Sequence, residues 1–187
     1  MKIVIGLLGE KRSGKGKFIE LLRNIVKPIT VSQIGSAAVL SETLKIWEIE
    51  PSRSNLQKLA ILMDREFGKG TVTNAVFQRI LSDPSDIVIF DGVRWPSDIK
   101  KIKTFEKNYV VYVTANPDMR WRRSRLMNEK VGENTASYEQ FIDEEKAYTE
   151  QFISEIGANA DFKIVNEGTL EDFKNEVRRF CKEKLSR

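Results

Sequence analysis

Residues 9–17 read GEKRSGKGK, which sets Gly9, Gly14 and Lys15 at the spacing of a loop that curls around an oxyanion. Glycines in such a loop let the backbone turn until successive amide N–H groups converge on phosphate oxygens. The lysine reaches the terminal phosphates, and a following helix adds the positive end of its dipole. A charged surface turn has a similar composition. This segment, however, directly follows the apolar run IVIGLL and opens an amphipathic stretch with Phe18, Leu21, Leu22 and Ile25 on one stripe. That is the strand–loop–helix context the chemistry requires. The residues expected to hold phosphate are Gly9, Lys11, Arg12, Ser13, Gly14, Lys15, Gly16 and Lys17.

A strict loop of this kind ends in Ser or Thr, whose hydroxyl coordinates Mg²⁺. Here Gly16 follows Lys15. Magnesium would then be held mainly by nucleotide oxygens and water, which a hard ion that keeps much of its hydration shell tolerates. Asp91, just past the apolar run IVIF, is the carboxylate expected to hold a magnesium-bound water or to orient an acceptor hydroxyl. Arg94 follows three residues later, and its planar fork suits two phosphate oxygens at once. In PDMRWRRSRLMNEK, Arg120 and Arg123 fall within about 60° of each other on a helix, with Arg122 and Arg125 roughly opposite. Arg120 and Arg123 are the pair expected to neutralise transferring phosphoryl charge; a solvated basic face is the plainer reading of the same run. The three tryptophans read as core or helix-packing residues.

These residues need a scaffold. The runs KIVIGLLG, DIVIFDG, YVVYVTA and DFKIVN are near-continuous and β-branched, as strands buried on both faces of a parallel sheet are; ITVSQI is a weaker fifth. Helical patterns separate them, including a stripe of Leu170, Phe173, Val177, Phe180 and Leu185 opened by a capping-type TLED at Thr169. The alternation predicts an α/β fold with helices on both faces of the sheet. Two excursions interrupt it. Residues 36–83 read as about three helices, started by PSRSNLQ and broken by FGKGT; residues 116–157 read as a helix, a polar turn GENTAS and a long helix.

Composition narrows the chemistry further. The chain of 187 residues has no histidine, so acid–base and metal-binding roles fall to Asp, Glu, Lys and Arg. Cys181 is the only cysteine, which excludes an internal disulfide or a cysteine-based zinc cluster and predicts a cytoplasmic, reducing setting. No apolar run approaches the roughly 18 residues of a membrane helix. A net charge of +4 suits an anionic small molecule as well as nucleic acid.

The loop resembles the GKGT ending of adenylate kinases, with Lys17 in place of their threonine, and its KRSGK portion is similar to loops of deoxynucleoside monophosphate kinases. IVIFDGVRWP resembles the DGFPR and DVRFPNE segments of the same two groups, which lie at the acceptor site. EPSRSNLQKLAILMDREFGKG, IVIFDGVRWPSDI, SYEQFIDEEK and ADFKIVNEGTLEDF extend the likeness, in order, over nearly the whole chain. The sequence resembles the P-loop nucleotide kinase superfamily and, more closely, adenylate-kinase-related and dephospho-coenzyme-A-kinase-like proteins of archaea.

The resemblance implies one P-loop domain over 1–187, a three-layer α/β/α fold with a five-stranded parallel sheet. Its core would be 1–35, 84–115 and 158–187, with a helical acceptor-binding insertion at 36–83 and a helical lid at 116–157. It implies an ATP- and Mg²⁺-dependent kinase acting on a nucleoside or deoxynucleoside monophosphate, or on dephospho-coenzyme A. Lys15 would hold the β- and γ-phosphates, Asp91 magnesium or the acceptor, and Arg94 the acceptor's anionic group, with Arg120 and Arg123 over the transferred phosphoryl. One departure bears on the acceptor. Adenylate kinases carry Gly-Asp-x-x-Arg after their second strand, whereas here Ser36 and Val39 follow Gly35 in the Asp and Arg places. A phosphate-bearing acceptor would rely on Arg94, with Arg65 or Arg53. The competing reading is an ATP-binding, slowly hydrolysing regulatory or assembly protein engaging RNA or a ribonucleoprotein. Neither the acceptor nor an oligomeric state follows from these motifs.

Overall fold

The structure, a computed structural model, describes residues 2–126, 137–146 and 150–185. Five strands form one parallel sheet in the order β2-β3-β1-β4-β5: β1 Ile3–Leu8, β2 Val31–Gly35, β3 Ile87–Asp91, β4 Lys107–Thr114 and β5 Phe162–Val165. The weak run ITVSQI is thus a strand, at the sheet's edge beside β3. The central strand β1 shows why the runs are continuously apolar. Ile5 and Leu7 face one core and Val4 and Leu8 the other, all fully buried. β5 departs from that pattern. It is an edge strand with Phe162 and Ile164 buried but Lys163 and Val165 exposed, because only one of its faces is covered.

The first core layer lies under α1 (Lys15–Ile25) and α9 (Leu170–Phe180), where Phe18, Ile19, Leu22, Phe173, Val177 and Phe180 meet the sheet. The Phe180 ring stands 5.7 Å from Phe18 and 5.2 Å from Phe162. The expected capping motif forms: Thr169 Oγ1 accepts from Asp172 N at 3.2 Å, and Asp172 Oδ2 accepts from Thr169 N at 2.8 Å. Leu170 does not join the buried stripe. It lies exposed in the first turn and lines a surface groove with Leu21 and Ile25.

The opposite layer holds α4 (Thr71–Ser82), α5 (Pro96–Ile102) and α8 (Ile153–Ala158), which contribute Val76, Phe77, Ile80, Ile102, Ile153 and Ile156. Gly6 on β1 makes room for α5, since a Cβ there would lie 2.4 Å from Ile102 Cδ1. As expected, 36–83 contains three helices: α2 (Ser36–Ile46), α3 (Arg53–Phe67) and α4, with Ser52 capping α3 by accepting from Asn55 N at 3.3 Å. Leu40, Leu44 and Leu59 give these helices a small core of their own. FGKGT breaks the path as predicted, through Gly68 and Gly70 at φ +97° and +89°.

After α6 (Pro117–Leu126) comes α7 (Tyr138–Glu144), capped by Ser137, whose Oγ accepts from Gln140 N at 3.2 Å. The rest of the expected turn GENTAS lies outside the described residues. The long helix expected after it is not formed. The chain turns at Glu145–Lys146, and α8 begins at Ile153, with 147–149 outside the described residues. The two helices answer to different surfaces: Phe141 is buried in α7, whereas Ile153 and Ile156 of α8 are buried against the sheet layer. Among the described residues, no helix is long and apolar enough to cross a membrane.

Candidate active site

The loop between β1 and α1 lies at the carboxyl end of the central strand, where crossovers diverge to either side and parallel sheets bind their ligands. Two glycines make its path possible. Gly9 has φ +153°, and a Cβ there would lie 2.0 Å from the Val113 carbonyl oxygen of β4. Gly14 has φ +114°, and its Cβ would lie 2.4 Å from Asn166 Nδ2. Arg12 between them is also left-handed, at φ 63°. Ser13 N donates to Glu10 O at 3.2 Å, closing the turn, and Asn166 Nδ2 donates to Ser13 O at 2.8 Å from the loop after β5. Ser13 is fully buried, and its Oγ has no hydrogen-bond partner.

Lys15 begins α1 and folds back over the loop, Nζ donating to Gly9 O at 2.7 Å and Glu10 O at 3.1 Å. Burial of the ammonium lowers its pKa; Asp91 opposes that shift, and the Arg94 guanidinium reinforces it. Position 16 behaves differently from the other loop glycines. It is exposed, and a Cβ on Gly16 would meet nothing within 4 Å. Lys17 stands apart from the cradle, pairing with Glu20 at 2.7 Å along α1.

Asp91 ends β3 in register with Leu7 of β1 and Gly35 of β2. Gly35 permits that approach, because its Cβ would lie 2.8 Å from the Asp91 carbonyl oxygen. Gln33 donates to Asp91 Oδ2 at 2.8 Å, while Oδ1 is buried without a partner. The chain after Asp91 is pinned twice. Gly92 N and Val93 N donate to Leu7 O at 3.1 and 3.2 Å, and Asp98 accepts from Arg94 N and Trp95 N at 3.0 Å each. Asp98 is buried and also accepts from Thr73 Oγ1 at 2.8 Å; burial raises its pKa despite these donors. The Arg94 guanidinium pairs with Glu150, and the Trp95 ring packs 5.6 Å from Phe152.

On α6, Arg120 and Arg123 turn inward while Arg122 and Arg125 turn away, to Asp118 at 2.9 Å and to the Trp121 ring at 5.5 Å. Arg120 is 3% exposed; its Nε donates to Ala115 O at 2.8 Å, Nη1 to Lys11 O at 3.4 Å, and both terminal nitrogens to Glu145. Arg123 Nη2 donates to Asn166 O at 2.8 Å, and its Nη1 is buried without a partner. Lys11 Nζ pairs with Glu144 at 2.8 Å.

Several residues at this site were not singled out from the sequence. Glu10 accepts from the Tyr112 hydroxyl, whose pKa burial and this contact push up to about 12. Phe141, Glu144, Glu145 and Glu150 meet the site's cations, and Gln33, Asp98 and Asn166 hold its loops. Elsewhere, Val39 is a core residue of α2, Arg65 pairs with Glu66 at 2.6 Å on an exposed face, and the Arg53 side chain lies outside the described residues.

The arrangement suits a polyphosphate. Ser13 Oγ and Asp91 Oδ1 lack partners, and Lys15, Arg94, Arg120 and Arg123 come from three elements, α1, the loop after β3 and α6. Among the described residues, no group of three or more His, Cys, Asp or Glu side chains forms a metal site. A divalent ion would share Asp91 with phosphate oxygens, as hard cations at nucleotide sites do.

No protein-family model matches the chain. By sequence it is similar to a UPF0200 protein of Hyperthermus butylicus, 29% identical over 178 residues that cover 95% of this chain and 92% of that one. It is also similar to a UPF0200 protein of Sulfurisphaera tokodaii, 28% identical over 180 residues and 96% of each chain. Among solved structures, TT1252 from Thermus thermophilus aligns at a TM-score of 0.65 and 17% identity, covering 97% of both chains. Shikimate kinase from Bacteroides thetaiotaomicron aligns at 0.63 and 13% identity, covering 96% of this chain and 97% of that one. In architecture, the chain has the fold of the P-loop kinases.

Proposed function

We propose that the protein is an ATP-dependent phosphotransferase acting on a small, nucleotide-like acceptor: a nucleoside or deoxynucleoside monophosphate, or dephospho-coenzyme A. The observation that carries this reading is Lys15 at the mouth of a glycine cradle, under the electrostatic influence of an Asp91 whose Oδ1 is buried and unpartnered. When bound, Mg²⁺-ATP supplies the transferable phosphoryl group and a metal that neutralises its oxygens.

The protein's own part is positioning and charge. Loop amides and Lys15 fix the phosphate chain, Arg120 and Arg123 neutralise charge that builds on it, and Arg94 orients the acceptor's anion. Asp91 Oδ1 has the free lone pairs to anchor the metal or accept a hydrogen bond from the acceptor hydroxyl. The insertion at 36–83 supplies the acceptor's side of the site, and the described residues of 116–157, with Arg120 and Arg123 of α6, the cover over the phosphates. The residue at position 16 favours one competitor. With no hydroxyl there, a protein that binds ATP, hydrolyses it slowly and engages RNA also accounts for the loop.

A coupled assay of ADP release over those acceptors, with Lys15→Ala as the blank, separates the two. Acceptor-dependent release lost in the variant supports the kinase. ATP binding with no acceptor-stimulated release, together with a salt-sensitive RNA mobility shift, supports the competitor.

A further inference from the structure

Three cations of the site come from three separate elements: Lys11 from the loop after β1, Arg94 from the loop after β3, and Arg120 from α6. Each pairs with a carboxylate from the same short stretch, Lys11 with Glu144, Arg120 with Glu145 and Arg94 with Glu150. Arg120 engages Glu145 through both terminal nitrogens, one to each oxygen, which is also how a guanidinium grips a phosphate. From these pairs we infer that Glu144, Glu145 and Glu150 are internal counter-ions. They occupy the places of ligand phosphates and determine which anions can enter. This rests on the phosphate-binding reading of the site and adds a determinant of specificity to it.

The stretch is held at both ends by aromatic contacts that do not involve its carboxylates. Phe141 is 1% exposed, and its ring lies beneath Lys11 at 5.6 Å and Arg120 at 5.8 Å. Phe152 packs on Trp95 beside Arg94. The Glu144, Glu145 and Glu150 side chains are 40%, 24% and 18% exposed, so each borders solvent, and releasing its cation takes a change of rotamer rather than of backbone.

The pairing compensates a buried charge. Arg120 is almost wholly buried, and a buried guanidinium without a counter-charge is strongly destabilising. An incoming anion therefore exchanges one ion pair for another and gains only the difference. A single phosphate that meets one of these cations gains little. A chain of phosphates that also engages Lys15 and the loop amides displaces Glu144 and Glu145 together and keeps its remaining contacts as surplus. The carboxylates thus weaken all anion binding, and only a chain of phosphates, with its surplus contacts, still binds well.

Calorimetric titration with inorganic tripolyphosphate, with orthophosphate and with ATP, all without magnesium, tests this on the full chain. Glu144→Gln alone and Glu144→Gln/Glu150→Gln leave Arg120 its partner, so both are expected to fold; thermal melts check that. Glu144→Gln should bind tripolyphosphate roughly twofold to fivefold more tightly than wild type, the span expected for one partly exposed ion pair, and the added Glu150→Gln, whose partner Arg94 serves the acceptor, should change that little. Orthophosphate, which meets one of these cations, should gain no more than tripolyphosphate does. Unchanged or weaker binding in both variants overturns the inference, because the carboxylates would then be holding the cations in place for the ligand. Lys15→Ala, run in parallel, keeps the two claims apart. If wild type binds and Lys15→Ala binds equally well, or if no variant binds, the phosphate reading fails, and this inference falls with it.

Discussion

Asn166 donates its side-chain amide to the carbonyl of Ser13 at 2.8 Å, tying the loop after β5 to the phosphate loop after β1. Its own carbonyl accepts from Arg123 at 2.8 Å, so one residue couples the cradle to α6. Asn166→Ala removes the amide and leaves the Ser13 carbonyl without that donor. The expected cost is about 1 kcal/mol of stability in urea denaturation, with a several-fold loss of ATP affinity from a looser loop. A variant as stable as wild type and equal in affinity would show that the contact holds nothing.

Gly16 is a glycine without a conformational reason. It sits in the first turn of α1, it lacks the positive φ of Gly9 and Gly14, and its Cβ position is open. Gly16→Ser should therefore stabilise the helix by about 0.5 kcal/mol. The new hydroxyl stands at the place where such loops meet magnesium, so the ratio of ATP affinities with and without the ion should rise. Denaturation and paired titrations check both. Loss of stability would contradict the open site.

Asp98 provides the pH test. Burial raises its folded pKa above the ordinary value of 3.8, against the pull of donors from Arg94, Thr73 and Trp95. The folded state then holds the proton more tightly than the unfolded chain. Its contribution to stability is present below about pH 3.8 and is lost as pH rises through the raised value. The stability difference between wild type and Asp98→Asn should move against the wild type over that rise, measured by denaturation from acid to neutral pH. A difference moving the other way would mean that the donors outweigh burial.

Asp91 carries the metal and acceptor roles in the proposed reaction. Asp91→Asn keeps the shape and an acceptor for Gln33 but removes the charge. Acceptor-dependent turnover should fall about 100-fold or more, while ATP binding measured without magnesium changes little. Turnover close to wild type would move both roles to another residue.

Much of the fold was legible because its signals are local. Continuous β-branched runs mark β1, β3 and β4, Thr169 and Asp172 three residues apart mark the start of α9, and Gly68 and Gly70 mark the break before α4. Helical angle alone sorted Arg120 with Arg123 and Arg122 with Arg125, but not which pair turns inward. The misreadings come from where elements lie, which spacing does not encode. Leu170 keeps the right phase but stands exposed in the first turn of its helix, and β5 reads like an inner strand although one face is uncovered. The expected long helix after 137 divides because Phe141 and Ile153 are buried in different places. Glu144, Glu145 and Glu150 look like a solvated acidic run; only the fold brings them to Lys11, Arg120 and Arg94, the first of which is 133 residues from its partner. Glu10 and Tyr112 likewise meet only because the loop passes over β4.

The central claim is that the main chain around Gly9–Gly14 and the ammonium of Lys15 grip a phosphate chain. Calorimetric titration of ATP into wild type and Lys15→Ala, with circular dichroism confirming that both are folded, tests it most directly. The account predicts binding to wild type that weakens about 100-fold or more in the variant, some 2.8 kcal/mol of lost affinity. Equal affinity in the two proteins would contradict it.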